Sequence, residues 1–115
     1  MHQGAFDDPR TELLIEDAVR YLHECTEKFD VVISDLSDPI EEGPSFQLFT
    51  KEYIEKVRDV LNPGGIFVLQ SGSISPANPT SHARLVKTQR AVFPNVISLG
   101  QHVPTYSATW TYTIG

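Results

Sequence analysis

The chain has 115 residues, 40% of them hydrophobic, and a formal net charge of −6 from 15 acidic and 9 basic side chains. That length allows one domain with a modest core, short for a complete doubly wound fold, and no apolar run approaches membrane-spanning length. The acidic balance argues against a nucleic-acid surface, which needs a basic patch, and suits cationic ligands such as amines. The start, Met1-His2-Gln3-Gly4-Ala5, lacks the basic-then-apolar pattern of a signal peptide, and a lone cysteine, Cys25, allows no internal disulfide. The expected location is the cytoplasm.

In chain order, residues 1–10 read as an incoming loop ending Phe6-Asp7-Asp8-Pro9-Arg10. Glu12-Leu13-Leu14-Ile15 reads as a strand that ends on Glu16-Asp17. Ala18 to His23 reads as a helix, for which Asp17 has the chemistry of an N-cap. Val31-Val32-Ile33 is a short β-branched run of the kind buried on both faces of a parallel sheet. It stops on Asp35, with Asp38 three residues later and Pro39 unable to extend a central strand. The segment Ile40 to Phe49 is long for a strand-to-helix link, and long loops in compact domains are often functional. Thr50 then caps a helix with Tyr53, Ile54, Val57, Val60 and Leu61 on its apolar face. Asn62-Pro63-Gly64-Gly65 stops that helix. Ile66-Phe67-Val68-Leu69 is a further buried strand ending on Gln70, and Ser71 to Thr80 reads as a loop. A helix over about Ser81–Phe93 turns Leu85, Val86, Val92 and Phe93 inward. Asn95 to Leu99 is a strand, Pro104-Thr105-Tyr106-Ser107 a turn, and Thr109 to Ile114 a last strand hairpin-linked to the one before.

The order βαβαβαββ belongs to the α/β class. Three strands end on Asp17, Asp35 and Gln70, and the final hairpin returns Tyr106 to the same edge. Ligands in open α/β sheets bind beyond the carboxyl ends of the strands, so this edge is the expected site. Asp35 and Asp38 also have a plain role open to them, capping the next turn. There is no Gly-x-Gly-x-x-Gly, no phosphate loop and no His-rich metal spacing; His2, His23, His82 and His102 are scattered. What remains is carboxylate chemistry. Two acids can bind a cationic amine, one of them accepting its proton as the nitrogen attacks an electrophile, or they can hold a divalent metal whose other ligands come from elsewhere.

Several stretches taken together resemble the polyamine aminopropyltransferases, that is, spermidine synthase and its thermospermine and triamine relatives. They are Ala5-Phe6-Asp7-Asp8-Pro9-Arg10, Ile15-Glu16-Asp17-Ala18, Phe29 through Asp35 to Asp38-Pro39, Gly43-Pro44 with Leu48-Phe49-Thr50, Leu61 through Pro63-Gly64-Gly65 to Gln70, and His102-Val103-Pro104-Thr105-Tyr106. The resemblance runs in order over nearly the whole chain, and its most specific part is Asp-x-x-Asp-Pro after a buried strand.

The resemblance implies transfer of an aminopropyl group from decarboxylated S-adenosylmethionine, a co-substrate, to a polyamine acceptor, with release of methylthioadenosine and no prosthetic group or metal. It implies Asp35 as the catalytic proton acceptor and Asp38 as a partner of the amine. Asp17 and Ala18 stand where the adenine end of the donor is held, and Pro44 where a proline lines the same nucleoside. Gln70 and Tyr106 stand on the amine side. Gly72 replaces an acid common in spermidine synthases. With Gly43-Pro44, Gln47 and the run Tyr106-Ser107-Ala108-Thr109-Trp110, it resembles the thermospermine branch and favours spermidine over putrescine as acceptor.

The implied fold is a Rossmann-like, methyltransferase-type sheet of order 3-2-1-4-5-7-6, in which the first predicted strand stands for 3 and the second for 4. Its first two strands and the family's N-terminal β-domain are not in the chain. Residues 1–115 are therefore expected to be a partial aminopropyltransferase catalytic domain, inactive alone and homo-oligomeric in its full-length form, with no membrane partner. Two other readings stay open: a methyltransferase-like enzyme using intact S-adenosylmethionine, and a non-enzymatic remnant that self-associates through bare strand edges.

Overall fold

A computed structural model describes residues 3–36, 46–74 and 80–115. Its first helix, α1 (Ala18–Glu24), starts at Asp17, whose carboxylate accepts the Arg20 backbone N–H at 2.9 Å. Strand β1 (Phe29–Ser34) follows, and a short 3₁₀ turn, Phe46–Phe49, precedes α2 (Lys51–Asp59). Thr50 caps α2 by accepting the Tyr53 N–H, as its hydroxyl and position dictate. Strand β2 (Leu61–Ile74), helix α3 (Thr80–Arg90), β3 (Ile97–Val103), a 3₁₀ turn at Pro104–Tyr106 and β4 (Ala108–Ile114) complete the order.

The sheet runs β1-β2-β4-β3, with β1 and β2 parallel and β4 antiparallel to both its neighbours. This is the 4-5-7-6 segment of the expected sheet. The last two strands form the expected hairpin, paired from Ile97–Ile114 to Val103–Ala108. A core of Phe49, Tyr53, Ile54, Val57, Phe67, Leu69, Leu85 and Phe93 fills the space between α2, α3 and one face of the sheet. Ile54, Val57, Phe67 and Leu69 are wholly enclosed, and Phe67 and Phe93 stack with centroids 6.0 Å apart.

Three sequence expectations need correction. First, Glu12–Ile15 forms no strand, and Ile15 is 93% exposed. A strand is held by the ladder on its neighbour, and among the described residues the outer edge of β1 has no partner to offer one. Second, β1 and β2 are not buried on both faces. Val31, Ile33 and Ile66 alternate with the covered Val32, Ser34 and Phe67 and stand exposed, Ile33 at 69%. No described helix covers that face, which Ile97 and Leu99 of β3 continue. Third, Ser71–Ile74 is strand rather than loop, because β4 supplies a partner for it beyond Gln70. Boundaries also shift: α3 ends at Arg90, short of Phe93, and β3 begins at Ile97 rather than Asn95. No helix among the described residues is long and apolar enough to cross a membrane.

Candidate active site

The carboxyl end of β1 carries the candidate site. Ser34, its last residue, is buried and its hydroxyl lies 3.3 Å from the Tyr53 hydroxyl of α2. Burial raises the Tyr53 phenol above its ordinary range, and the Ser34 contact partly offsets this. The strand end is thereby pinned to the core one residue before Asp35, whose side chain is exposed.

Asp35 and Leu36 line two concavities at once. One, of about 510 Å³, is walled by Gln70 of β2, Val103 of β3, Tyr106, and Trp110 and Tyr112 of β4. The other, of about 600 Å³, is mainly apolar and is lined by Leu13, Leu14, Glu16, Ala18, Val31, Ile33 and Tyr53, among others. An acid between a polar-aromatic pocket and an apolar one can hold a cation on one side and face a second reactant on the other.

Gln70 is only 5% exposed. Oriented so that both amide atoms have partners, it donates to the Leu36 carbonyl at 2.9 Å and accepts from the Trp110 indole N–H at 2.8 Å. It thus ties the residue after Asp35 to the far wall. Tyr106 is brought over by the β3–β4 hairpin and packs on Trp110 with ring centroids 4.9 Å apart. Its 3₁₀ turn closes on Ser107, which holds a left-handed φ of 49°.

The structure therefore brings together Asp35, Gln70 and Tyr106 and sets Ala18 across from them. Asp17 takes the capping role at the start of α1, while its neighbours Glu16 and Ala18 line the apolar pocket. Asp38 and Pro44 lie outside the described residues. His102 is exposed on β3 and lines neither concavity. Among the described residues no three His, Cys, Asp or Glu side chains form a metal-binding group. Cys25 is half-buried at the C-cap of α1.

Trp110, Tyr112, Val103 and Leu36 are site-lining residues that sequence reasoning missed. The signal was present in the alternation of the last strand, which puts Trp110 and Tyr112 on one face. Only the register Gln70–Tyr112 says which face reaches the site. A second missed feature is a buried polar cluster behind Gln70: Ser71, His82 and Thr111, reaching Ser98 at the surface. Burial pushes the His82 imidazole below its usual range.

Comparison with known proteins agrees over this whole architecture. The polyamine aminopropyltransferase of Aeropyrum pernix is 46% identical over 114 residues, covering 98% of this chain and 36% of its own length. That of a Synechococcus strain is 45% identical over 106 residues, covering 92% of this chain and 34% of the relative. A crystal structure of spermidine synthase in complex with the transition-state analogue AdoDATO superposes with a TM-score of 0.87 at 30% identity, over 98% of this chain and 38% of that one. Spermidine synthase from Thermotoga maritima gives 0.79 at 27% identity. The chain spans about a third of the length of these relatives. The family model for the spermine/spermidine synthase domain matches residues 1–115 throughout, and the chain belongs to that family.

Proposed function

We infer that residues 1–115 are part of the catalytic domain of a polyamine aminopropyltransferase, with Asp35 as the proton acceptor. One observation carries this reading: Asp35 is common to both concavities. The polar-aromatic one, with Gln70, Tyr106 and Trp110, suits an alkylammonium, whose charge is drawn to aromatic faces and carboxylates. The apolar one, with Ala18 on its wall and Asp17 beside it, suits the nucleoside end of decarboxylated S-adenosylmethionine. Asp38 and Pro44 take the amine and nucleoside roles that the family resemblance gives them. Gln70 acts chiefly through the two hydrogen bonds that shape the amine pocket, and its carbonyl keeps a second lone pair for the amine.

The chemistry follows from charge. An alkylamine is mostly protonated at neutral pH, and only its neutral form has the lone pair to attack. Asp35 binds the cation and takes its proton. The freed nitrogen attacks the carbon beside the sulfonium, the N–C bond forms, and the C–S bond breaks with its electron pair going to sulfur. The products are the extended polyamine and neutral methylthioadenosine, and Asp35 passes its proton to water. Proton transfer of this kind is worth roughly 10²–10⁴-fold. Gly72 and the Tyr106–Trp110 run favour spermidine as acceptor, giving thermospermine. Among the described residues the outer edge of β1 beside the apolar pocket has no partner strand, which supports a further reading: this chain alone does not close the donor site. The reading carries with it a cytoplasmic location and a homo-oligomeric full-length form, both taken from the family resemblance.

The test joins this chain to the remaining part of the Aeropyrum pernix relative and measures methylthioadenosine release from decarboxylated S-adenosylmethionine, with putrescine or spermidine as acceptor. Faster release with spermidine, and a drop of about 10²–10⁴-fold in Asp35→Asn, are expected. Release that survives Asp35→Asn removes Asp35 as the base. A methylated product from intact S-adenosylmethionine replaces the reading with the methyltransferase one.

A further inference from the structure

Strand β2 is interrupted directly behind the site. Gln70 pairs with Tyr112 and Ser73 with Trp110, so Ser71 and Gly72 together oppose Thr111 alone. This is a β-bulge, which bends the strand and re-aims the side chains beside it. Gly72 turns it with φ of 78°, a conformation that favours glycine.

The bulge is filled by hydroxyls and one imidazole. Ser98 Oγ lies 2.5 Å from His82 Nε2, His82 Nδ1 lies 3.0 Å from Ser71 Oγ, and Ser71 Oγ lies 3.2 Å from Thr111 Oγ1. Thr111 Oγ1 donates to the Gly72 carbonyl at 2.8 Å. Each hydroxyl has one proton, and this sets the directions as far as the ring. Thr111 spends its proton on Gly72, so Ser71 donates to Thr111. Ser71 must then accept, so His82 Nδ1–H donates to Ser71; burial favours the neutral ring, whose Nε2 then accepts from Ser98. The result is a one-way relay from the exposed Ser98 to the bulge carbonyl, through a neutral His82 carrying its proton on Nδ1.

We propose that His82 is a positioning residue: through Ser71 and Thr111 it holds the Ser71–Gly72 bulge, and so fixes Gln70 between the Leu36 carbonyl and the Trp110 indole. It touches no concavity at the site and sits on α3, bridging helix, β2 and β3. The significance for the reaction rests on the pocket of Asp35, Gln70 and Trp110 being the amine site; the positioning itself does not.

Trp110 is the only tryptophan in the chain, so its indole N–H gives a single cross-peak in a ¹H–¹⁵N spectrum. His82→Asn keeps an amide where Nδ1 stood, and His82→Leu keeps bulk without a donor. In His82→Leu the indole peak should move or broaden, and its proton should exchange with solvent about five- to tenfold faster, the factor for one ordinary hydrogen bond. His82→Asn should restore both. Thr111→Val, which removes only the hydroxyl end of the relay, gives the same reading if His82→Leu does not fold. Imidazole nitrogen shifts in the unaltered chain should report the Nδ1–H tautomer. An Nε2–H tautomer, or an indole peak indifferent to His82→Leu or Thr111→Val, overturns the proposal. Titrating spermidine into the unaltered chain while following the same peak keeps the two questions apart: no response removes the amine site and leaves the positioning role standing.

Discussion

Replacing Gln70 tests how the site is held. Gln70→Leu removes two hydrogen bonds and leaves the Leu36 carbonyl and the Trp110 indole N–H without their partner. Leu36 and Trp110 are half-buried, so water recovers part of the loss, and the cost is expected near 1–3 kcal/mol rather than twice that. Gln70→Glu separates the two bonds by charge. One oxygen of the new carboxyl still accepts from Trp110, but the other faces the Leu36 carbonyl and can be satisfied only when protonated. Its folded-state pKa therefore lies above the ordinary ~4.3 of Glu. For an acid raised on folding, the unfolded chain gives up its proton first as pH rises. The variant then matches the original below about pH 4 and loses relative stability as pH climbs toward the folded pKa. Urea denaturation followed by Trp110 fluorescence, at pH 4 and pH 7 and always as a difference from the unaltered chain, measures this. A Gln70→Leu chain as stable as the original, or a Gln70→Glu deficit that does not change with pH, refutes the tie.

Asp17→Ala should cost about 1 kcal/mol by leaving the Arg20 N–H uncapped, while Asp17→Asn costs a few tenths at most; thermal melts separate these, and equal losses would mean the cap is not what Asp17 contributes. Burial lowers the folded pKa of His82 below its unfolded value of about 6.5, so the unfolded chain binds the proton first. Stability from this group is full above about pH 6.5 and declines as pH falls toward the folded pKa; in His82→Asn the decline over that window should be shallower in paired denaturation curves, and identical slopes would exclude His82 as its source. The apolar face that no described helix covers should make the 115-residue chain associate as its concentration rises. Ile33→Lys, at a position 69% exposed, should weaken that association in sedimentation experiments while changing stability by no more than about 0.5 kcal/mol. A monomer at all concentrations before the substitution would show that the face is not sticky.

Much of the fold was legible in the chain because its signals are local. Thr50 and Asp17 announce helix starts through hydroxyl and carboxylate oxygens, and the apolar spacing of Tyr53, Ile54 and Val57 marks the buried side of α2. The run Val31–Ile33 ending on Asp35 marks a strand meeting a loop whatever surrounds it. The hairpin that returns Tyr106 toward Asp35 could be anticipated because Pro104–Ser107 is turn chemistry between two β-prone runs.

What failed depended on partners distant in sequence. Glu12–Ile15 has strand composition but finds no ladder among the described residues, and composition does not make a strand without a neighbour. Val31 and Ile33 read as buried on both faces because residue type reports affinity for a covered surface, not whether a cover is there. The fourfold polar cluster at Ser71, His82, Ser98 and Thr111 was invisible, since each residue looks ordinary alone and they meet only after α3 lies on the β2–β4–β3 sheet. The chain by itself determined where helices start, where β1 stops and that an acid stands at its end, because capping, periodicity and proline act within a few residues. Tertiary structure alone decided that Asp35 faces two pockets and that Gln70 is held by Leu36 and Trp110, because register and hydrogen-bond partnership exist only between strands.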